Sequence, residues 1–222
     1  MSRKPELAAA PPRLPVRVLD VTPLGDEVFV VGLSGISHPW TPGDCIAVYA
    51  PGSTQSRPYS LSGSNQAERL EVWVRRFPEG LVSPYLCDRR PGDEVEISPP
   101  FGWFRPGKPE AAHKIYLATG TGIAPFLSAI RSGCPPPREL HWGLRRPLET
   151  GDRLEGVPVT LHISRGEERT GRLTEQLDSI DVHPDTHVYA CGLDLMIEQA
   201  ASHFQTRGLP ESRFHRECFF TD

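Results

Sequence analysis

The chain has 222 residues and a formal net charge of −4, from 24 Lys and Arg against 28 Asp and Glu. This length fits two modest domains and no third, and the slightly acidic balance excludes a typical nucleic-acid-binding protein. No run approaches the ~18 apolar residues of a membrane helix, and the N-terminal stretch lacks the apolar core of a secretory signal. We therefore predict a cytoplasmic, monomeric protein that binds neither nucleic acid nor membrane.

The first half of the chain has the pattern of a β-barrel. Residues 1–15 are rich in alanine and proline and are predicted to be mobile. After them, short alternating runs such as residues 70–75 and 94–97 are separated by glycine and proline, which is typical of antiparallel strands. We predict an antiparallel β-barrel domain over residues 16–108.

A short polar motif, Arg57-Pro58-Tyr59-Ser60, follows a predicted strand at residues 44–49. An arginine can clamp a phosphate with two parallel hydrogen bonds. A tyrosine ring can stack on another aromatic ring, and a serine hydroxyl can hydrogen-bond a ring nitrogen. The motif therefore suits a ligand that combines a phosphate with a flat heterocycle.

A second segment in the barrel half, Gly80-Leu81-Val82-Ser83, precedes a short predicted helix. Ser83 suits an N-cap, and Pro84 suits the first helical turn.

The second half of the chain begins with an apolar strand at residues 115–118, a glycine-rich turn and a helix. The turn and the first helical turn contain Thr119, Gly120, Thr121, Gly122 and Pro125. The two glycines lack a Cβ, so backbone amides can approach a phosphate closely, and the helix start points N–H groups at the anion. The alternative is a tight strand-to-helix turn without a ligand.

From residue 114 onward, buried strands alternate with helical periods, which predicts an α/β domain with a parallel sheet. Strands are predicted at residues 115–118, 140–144, 157–163 and 188–191, and helices at residues 126–131, 173–180 and 195–207. We place a linker near residues 106–112 and the second domain at residues 109–222.

The ordered motifs resemble the ferredoxin-NADP reductase superfamily, which carries R-x-Y-S in its flavin-binding barrel and G-T-G-I-A-P in its nicotinamide domain. Residues 80–86 resemble its flavin-pyrophosphate segment. Cys191-Gly192 with Met196 resembles its C-G-x-x-x-M, and residues 217–219 resemble the E-x-F that closes flavohaemoglobin reductase domains. The resemblance covers about residues 16–219.

The resemblance implies roles for five side chains. Ser60 would hydrogen-bond the reactive ring nitrogen of the flavin, and Tyr59 would cover one face of the ring. Cys191 would lie beside the reacting carbon of the nicotinamide. Phe219 would stack on the other flavin face until nicotinamide displaces it, with Glu217 near the proton path. For each residue the alternative is a structural role in the core.

The same resemblance bears on the cofactors. FAD is favoured because residues 80–86 resemble an FAD-type pyrophosphate site, with FMN as the alternative. NADP(H) is preferred over NAD(H) because Ser164-Arg165 and Arg172 resemble a segment that holds the 2′-phosphate, and Arg145 is a further candidate. Arginine supplies the planar, bidentate donors that this phosphate needs, although solvated surface arginines are the alternative. The residue after Phe219 is also phenylalanine, so which of the two meets the flavin stays open.

Cysteine and histidine spacing predicts neither a metal site nor an iron–sulfur cluster. The chain contains five cysteines and eight histidines. The cysteines stand far apart without C-x-x-C, and the histidines lack H-x-H and H-E-x-x-H spacing. A one-electron carrier would therefore be a separate protein or the substrate itself.

Together these observations favour a reductase that passes electrons from NADPH through FAD to ferredoxin or flavodoxin, in a reaction that is reversible in principle. One alternative is the reductase component of a multicomponent oxygenase or an NAD(P)H:flavin reductase. Another is a non-catalytic subunit that senses redox state or transfers electrons inside a complex. The basic pairs at residues 75–76 and 89–90 either dock an acidic ferredoxin or are solvated charges.

Overall fold

A computed structural model of the protein describes residues 12–108 and 113–220, except for the side chains of residues 219 and 220. These residues form an antiparallel sheet followed by a parallel sheet. This order confirms the predicted fold class of a β-barrel followed by an α/β unit.

Six strands build the barrel, and their order in the sheet is β4-β3-β6-β1-β2-β5. They are β1 (Leu14–Gly25), β2 (Val28–Ser34), β3 (Cys45–Tyr49), β4 (Ser56–Ser60), β5 (Arg69–Arg75) and β6 (Glu94–Ile97). A bridge between Leu61 and Val72 joins the two edge strands and closes the barrel. Strand β1 begins at Leu14, two residues before the predicted start of the barrel domain, because Leu14 pairs with Ile97.

The parallel sheet has the strand order β11-β10-β7-β8-β9. Its strands are β7 (His113–Thr119), β8 (Glu139–Leu144), β9 (Thr160–Ile163), β10 (Thr186–Leu193) and β11 (Phe214–Phe220). The helices are α1 (Val82–Cys87) in the barrel half, and α2 (Ala124–Arg131) and α3 (Asp194–Thr206) in the second half. Strand β7 lies at the centre of the sheet and is covered on both faces, which explains its unbroken apolar run.

The prediction of a helix at residues 173–180 is wrong. The segment forms two separate 3₁₀ turns, Leu173–Glu175 and Leu177–Ser179. Gln176 separates them with φ −113°, outside the helical range. Apolar side chains spaced three and four residues apart still reach the core from these turns, so the sequence period resembled that of a helix.

The barrel and the parallel sheet share one apolar core. Trp73 of β5 packs edge-on against Trp142 of β8, with ring centroids 5.8 Å apart. Beside this contact, Arg131 at the end of α2 forms an ion pair of 2.7 Å with Glu71 of β5. The carboxylate is only partly exposed, and burial acts to raise its pKa. The pKa is nevertheless lowered, because Arg131, Ser62 and Arg69 together outweigh burial. The relative orientation of the two sheets is therefore fixed by packing and by charge.

The predicted boundary at residues 108–109 adjoins residues 109–112, which lie outside the described ranges. In the part of the chain that is described, no helix is both long and apolar enough to cross a membrane. Among the same residues, no three His, Cys, Asp or Glu side chains are grouped so that they could hold a metal ion.

Candidate functional site

A cavity of about 430 Å³ opens where the barrel meets the parallel sheet. The barrel contributes Arg57, Pro58, Tyr59, Ser60, Trp73, Arg75, Phe77, Gly80, Leu81, Val82 and Ser83. The second half of the chain contributes Thr121, Ala124 and Cys218. Three motifs that are far apart in sequence therefore border one cavity.

Strand β4 presents the R-P-Y-S motif at the edge of the barrel. Pairing with β3 sets Tyr59 opposite Ile46 and Ser60 opposite Cys45. Arg57 is exposed, and its guanidinium donates to the carbonyl oxygen of Ser56 at 2.8 Å. Burial raises the pKa of Tyr59, so its phenol stays protonated at neutral pH.

The predicted N-cap role of Ser83 is wrong. Helix α1 begins at Val82, two residues before the predicted start at Pro84, and no side chain caps it. The Ser83 hydroxyl instead accepts a hydrogen bond of 3.0 Å from the backbone N–H of Phe77. The loop folds back on itself because this hydroxyl satisfies a backbone donor that has left the barrel ladder.

The glycine-rich turn forms as predicted, with a 3₁₀ turn at Gly120–Ile123 and Pro125 in the first turn of α2. Its two glycines serve different purposes. Gly120 has φ +53°, and no atom lies within 4 Å of the point that a Cβ would occupy, so its backbone borders open space. A Cβ on Gly122 would collide with the carbonyl of Cys191, so Gly122 lets the turn pack on β10.

The end of β10 is likewise closely packed against the turn. A Cβ on Gly192 would collide with Thr119, whose hydroxyl accepts a hydrogen bond of 2.8 Å from the N–H of Leu193. Met196 is buried in the core around α3, away from the cavity lining. Thr119, Gly122, Gly192 and Met196 therefore hold the site together in this structure.

A carboxylate from the last strand reaches the barrel motif. Glu217 Oε2 accepts a hydrogen bond of 3.1 Å from Ser60 Oγ. Two thiols also point at this carboxyl, with Cys45 Sγ 3.7 Å from Oε1 and Cys191 Sγ 3.9 Å from Oε2. Burial raises the pKa of Glu217, and these hydrogen bonds together with the charge of Arg105 oppose the increase. Glu217 thus takes up a proton more readily than an exposed glutamate does.

Cys191 is fully buried, and burial raises the pKa of its thiol well above the ordinary value. The thiol is therefore neutral at physiological pH. The side chain of Phe219 lies outside the described part of the chain, so its stacking role stays a prediction.

The arginines predicted to hold the 2′-phosphate lie at the carboxyl ends of β8 and β9. The Arg165 N–H donates to the Arg145 carbonyl at 2.9 Å, which sets these two residues side by side. The hydroxyl of Ser164, the residue before Arg165, donates to the carbonyl of Leu144, the residue before Arg145. Arg172 follows Gly171, whose N–H bonds the carbonyl of Ile163 at the end of β9.

The three guanidinium groups, of Arg145, Arg165 and Arg172, are exposed and form no ion pair with the described acidic side chains. By contrast, three of the four arginines in the predicted basic pairs are already paired. Their ion pairs are Arg75–Asp26, Arg76–Asp88 and Arg89–Asp93.

Sequence reasoning missed several residues of the cavity. Trp73 is 2% exposed and lines the cavity, yet its indole N–H has no hydrogen-bond partner among the described residues. Phe77 and Cys218 also line it, and Cys45 lies behind Ser60. The alternation of residues 70–75 predicts a strand. It does not show which face of the barrel meets the second half of the chain.

The barrel matches a known family model over most of its length. Residues 27–105 match the family model described as the oxidoreductase FAD-binding domain. The barrel of this chain is therefore similar to that family over the matched residues. The matched range includes the R-P-Y-S motif, the 80–83 loop and Trp73.

The combined architecture matches solved reductases. A ferredoxin NADP+ reductase from Neisseria gonorrhoeae, solved with bound FAD and NADP, superposes with a TM-score of 0.80 at 19% identity, over 94% of this chain and 99% of that one. The barrel and the parallel sheet that follows it therefore have the same fold as that reductase.

The similarity to curated relatives extends beyond the barrel. The toluate 1,2-dioxygenase electron transfer component of Pseudomonas putida is 25% identical over 196 residues, which cover 80% of this chain and 58% of the relative. Ferredoxin--NADP reductase B of Sorangium cellulosum is 27% identical over 197 residues, covering 76% of this chain and 80% of the relative. The chain spans somewhat more than half the length of the dioxygenase components that it matches.

Proposed function

We propose that this chain is a flavin-dependent oxidoreductase that carries electrons from NADPH through bound FAD to a separate acceptor. The acceptor is a one-electron carrier such as ferredoxin or flavodoxin, or an oxygenase component. The observation that carries the proposal is the cavity in which the R-P-Y-S motif, the 80–83 loop and Thr121 meet. The two curated relatives reported above support it, since one is named as an electron transfer component and the other as a ferredoxin--NADP reductase.

The donors around the cavity fit a flavin nucleotide. Arg57 offers a guanidinium whose described hydrogen bond is to its own neighbour, Ser56, so its other N–H groups can bind phosphate. The buried indole N–H of Trp73 has no described acceptor, and a bound ligand can supply one. Tyr59 provides an aromatic face and a phenol held in the neutral form.

Bound FAD would supply the step between a two-electron hydride donor and a one-electron acceptor. In this arrangement Arg57 and the 80–83 backbone hold the phosphates. Tyr59 packs on the ring, and Ser60 binds the ring nitrogen through its hydroxyl.

Ser60 and Glu217 supply a path for a proton. The Ser60 hydroxyl donates to Glu217 Oε2 in this structure. When Glu217 is protonated, the direction of that bond can reverse, and the hydroxyl can then donate to a ligand in the cavity. Because burial raises the pKa of Glu217, the carboxyl can hold this proton closer to neutral pH than an exposed glutamate.

Cys191 orients the nicotinamide in this proposal. Its buried, neutral thiol adds no charge beside the reacting carbon, and the surrounding packing excludes water. The turn at residues 120–122 binds the nicotinamide diphosphate beside it, with Gly120 providing the open approach.

The choice of NADP(H) over NAD(H) rests on Arg145, Arg165 and Arg172 at the ends of β8 and β9, which form no ion pair with the acidic side chains that the structure describes. Arg145 and Arg165 are adjacent through a backbone hydrogen bond, and Arg172 begins the next turn. A 2′-phosphate would receive planar, bidentate donors there.

An anaerobic titration tests the proposal. Purified protein is loaded with FAD and titrated with NADPH while the flavin absorption is followed, and oxidised ferredoxin or flavodoxin is then added. We expect bleaching by NADPH and recovery of the oxidised spectrum as the carrier is reduced. Protein that stays colourless with both FAD and FMN would refute the proposal. Turnover with free flavin alone would identify a flavin reductase, and a lack of turnover with any acceptor would favour a non-catalytic subunit.

A further inference from the structure

Cys45 is a buried thiol at the start of β3 that the proposed reaction does not use. Its backbone is held by two hydrogen bonds with Phe101, from Cys45 N to Phe101 O at 2.6 Å and from Phe101 N to Cys45 O at 2.9 Å. The side chain is 5% exposed and stands opposite Ser60 in the β3–β4 pair. The thiol therefore has a fixed position behind the R-P-Y-S motif.

The thiol contacts both members of the proposed proton path. Cys45 Sγ lies 3.3 Å from Ser60 Oγ and 3.7 Å from Glu217 Oε1. Ser60 and Cys191 direct their hydrogen bonds at the other carboxylate oxygen, Oε2. Among the described residues, Cys45 thus supplies the hydrogen bond to Oε1.

The chemistry of a thiol makes this contact informative. Burial, together with the nearby Glu217 carboxylate, raises the pKa of Cys45 to about 12, so the thiol keeps its proton and remains a donor. An S–H group is a weak donor compared with a hydroxyl. It can orient the carboxyl while stabilising the carboxylate charge only slightly.

We propose that Cys45 is a positioning residue that holds the Glu217 carboxyl against Ser60, and that its weak S–H donor leaves Glu217 able to accept a proton. The inference rests on the proposed function only in naming Glu217 as the group that moves the proton. It predicts that the strength of the donor at position 45 sets the ionisation of Glu217.

Other groups facing Glu217 must stay unchanged in any test. Ser60 approaches from β4, Cys191 from β10, and Arg105 from the segment after β6. Arg105 is itself paired with Asp44 at 2.9 Å. Because Asp44 precedes Cys45, substitutions at position 45 should be small enough to preserve this ion pair.

The test is an infrared pH titration of the Glu217 carboxyl in the full-length protein without cofactor, with Glu217→Gln used to assign the band. Cys45→Ser replaces the thiol with a stronger donor, and Cys45→Ala removes the donor. We expect the Glu217 pKa to fall in Cys45→Ser and to rise in Cys45→Ala, each by about half a pH unit or more. A purely structural role for Cys45 would move both titrations in the same direction or in neither.

Two further variants keep the test decisive. Cys87→Ala removes another buried thiol of the barrel, and it should leave the Glu217 titration unchanged. Cys45→Val removes the donor while filling more of the space than alanine does, so it replaces Cys45→Ala if that variant does not fold. Circular dichroism checks folding for each variant. Equal Glu217 pKa values in the Cys45→Ser variant and the donor-free variants, or values in the reverse order, overturn the inference.

Kinetics of the FAD-loaded protein separate this inference from the proposed function. If both are right, the pH at which turnover changes should move in the same order as the infrared titration. If the protein binds no flavin, the proposed function fails while the infrared order still decides the role of Cys45.

Discussion

Ser60 and Glu217 are 157 positions apart in the sequence, yet Ser60 Oγ donates a 3.1 Å hydrogen bond to Glu217 Oε2. Ser60 ends strand β4 of the barrel, and Glu217 lies in β11 at the edge of the parallel sheet. The contact therefore crosses between the two halves of the chain. A bond of this kind forms only when both sheets are folded and docked.

The Glu217→Gln variant tests the proposed proton path. Glutamine keeps an oxygen that can accept from Ser60 but cannot take up a proton. We expect turnover with a carrier protein to fall on the order of 100-fold, and its pH dependence on the acidic side to flatten. Stopped-flow absorbance measures flavin reduction separately from later steps. Glu94→Gln, on an exposed position of β6, is the control. Unchanged rates and an unchanged pH profile would place Glu217 outside the reaction.

Arg57→Ala tests the flavin site. Loss of a charge-assisted hydrogen bond to phosphate should weaken FAD binding about 10- to 100-fold, measured by fluorescence titration of the cofactor-free protein. Arg69→Gln serves as the control, because Arg69 is also a barrel arginine but is paired with Asp20 at 3.1 Å. Equal FAD affinities for the Arg57→Ala and Arg69→Gln variants would contradict a phosphate clamp at position 57.

The double variant Arg165→Gln/Arg172→Gln tests the choice of nicotinamide cofactor. We expect KM for NADPH to rise at least about 10-fold, with KM for NADH nearly unchanged, because NADH lacks the 2′-phosphate. Arg169→Gln is a matched control from the same loop, since Arg169 lies 3.8 Å from Glu175. Similar losses with both cofactors would show that Arg165 and Arg172 support the fold instead.

Stability should decrease in mild acid because of a buried histidine pair. His162 Nε2 lies 3.1 Å from His141 Nδ1, and burial followed by the charge of His141 lowers the pKa of His162 to about 4. An unfolded histidine has a pKa of about 6.5. Between these two values the unfolded chain binds a proton that the folded protein does not, so folding stability falls as pH decreases from about 6.5 to about 4.

Urea unfolding at pH 7.5 and pH 5 measures this loss, which amounts to at most about 2 kcal/mol for His162 between these two pH values. The pKa values of His113, His187 and His215 are also lowered by burial, and they act in the same direction. We expect His162→Gln to reduce the difference between the two pH values. His38→Gln, at an exposed position, should leave it unchanged. A pH difference that is the same in all three proteins would exclude His162 as a cause.

Much of the site could be predicted from local sequence. The R-P-Y-S motif, the 80–83 loop and Thr121 were predicted to bind a ligand, and the structure brings all three to one cavity. Local chemistry was also sufficient for the turn at residues 120–123 and for Pro125, because strand, glycine and proline preferences act over a few residues. The roles of the individual side chains stay predictions for the experiments above.

Local reasoning failed where the fold gives a residue a different partner or packing from the one that its local pattern suggests. The hydroxyl of Ser83 suits an N-cap, but the fold gives it the N–H of Phe77. Gly122 suits a phosphate turn, but its missing side chain makes room for the carbonyl of Cys191. The apolar period of residues 173–180 suits a helix, yet two 3₁₀ turns satisfy the same burial. For Gly122 and for residues 173–180, packing against distant segments overrode the local preference, whereas the partner of Ser83 lies six residues away in its own loop.

The two-part architecture could be predicted without coordinates, since alternating and helical apolar periods specify which faces of the strands and helices must be buried. The segments proposed to bind a ligand could also be predicted without coordinates, from the chemistry of their short motifs. By contrast, the buried cluster of Cys45, Ser60, Cys191 and Glu217, and the position of Trp73 at the cavity, became visible only in the folded chain. These contacts depend on how the barrel docks on the parallel sheet. Docking is set by the shared core of Trp73 and Trp142, which no local pattern encodes.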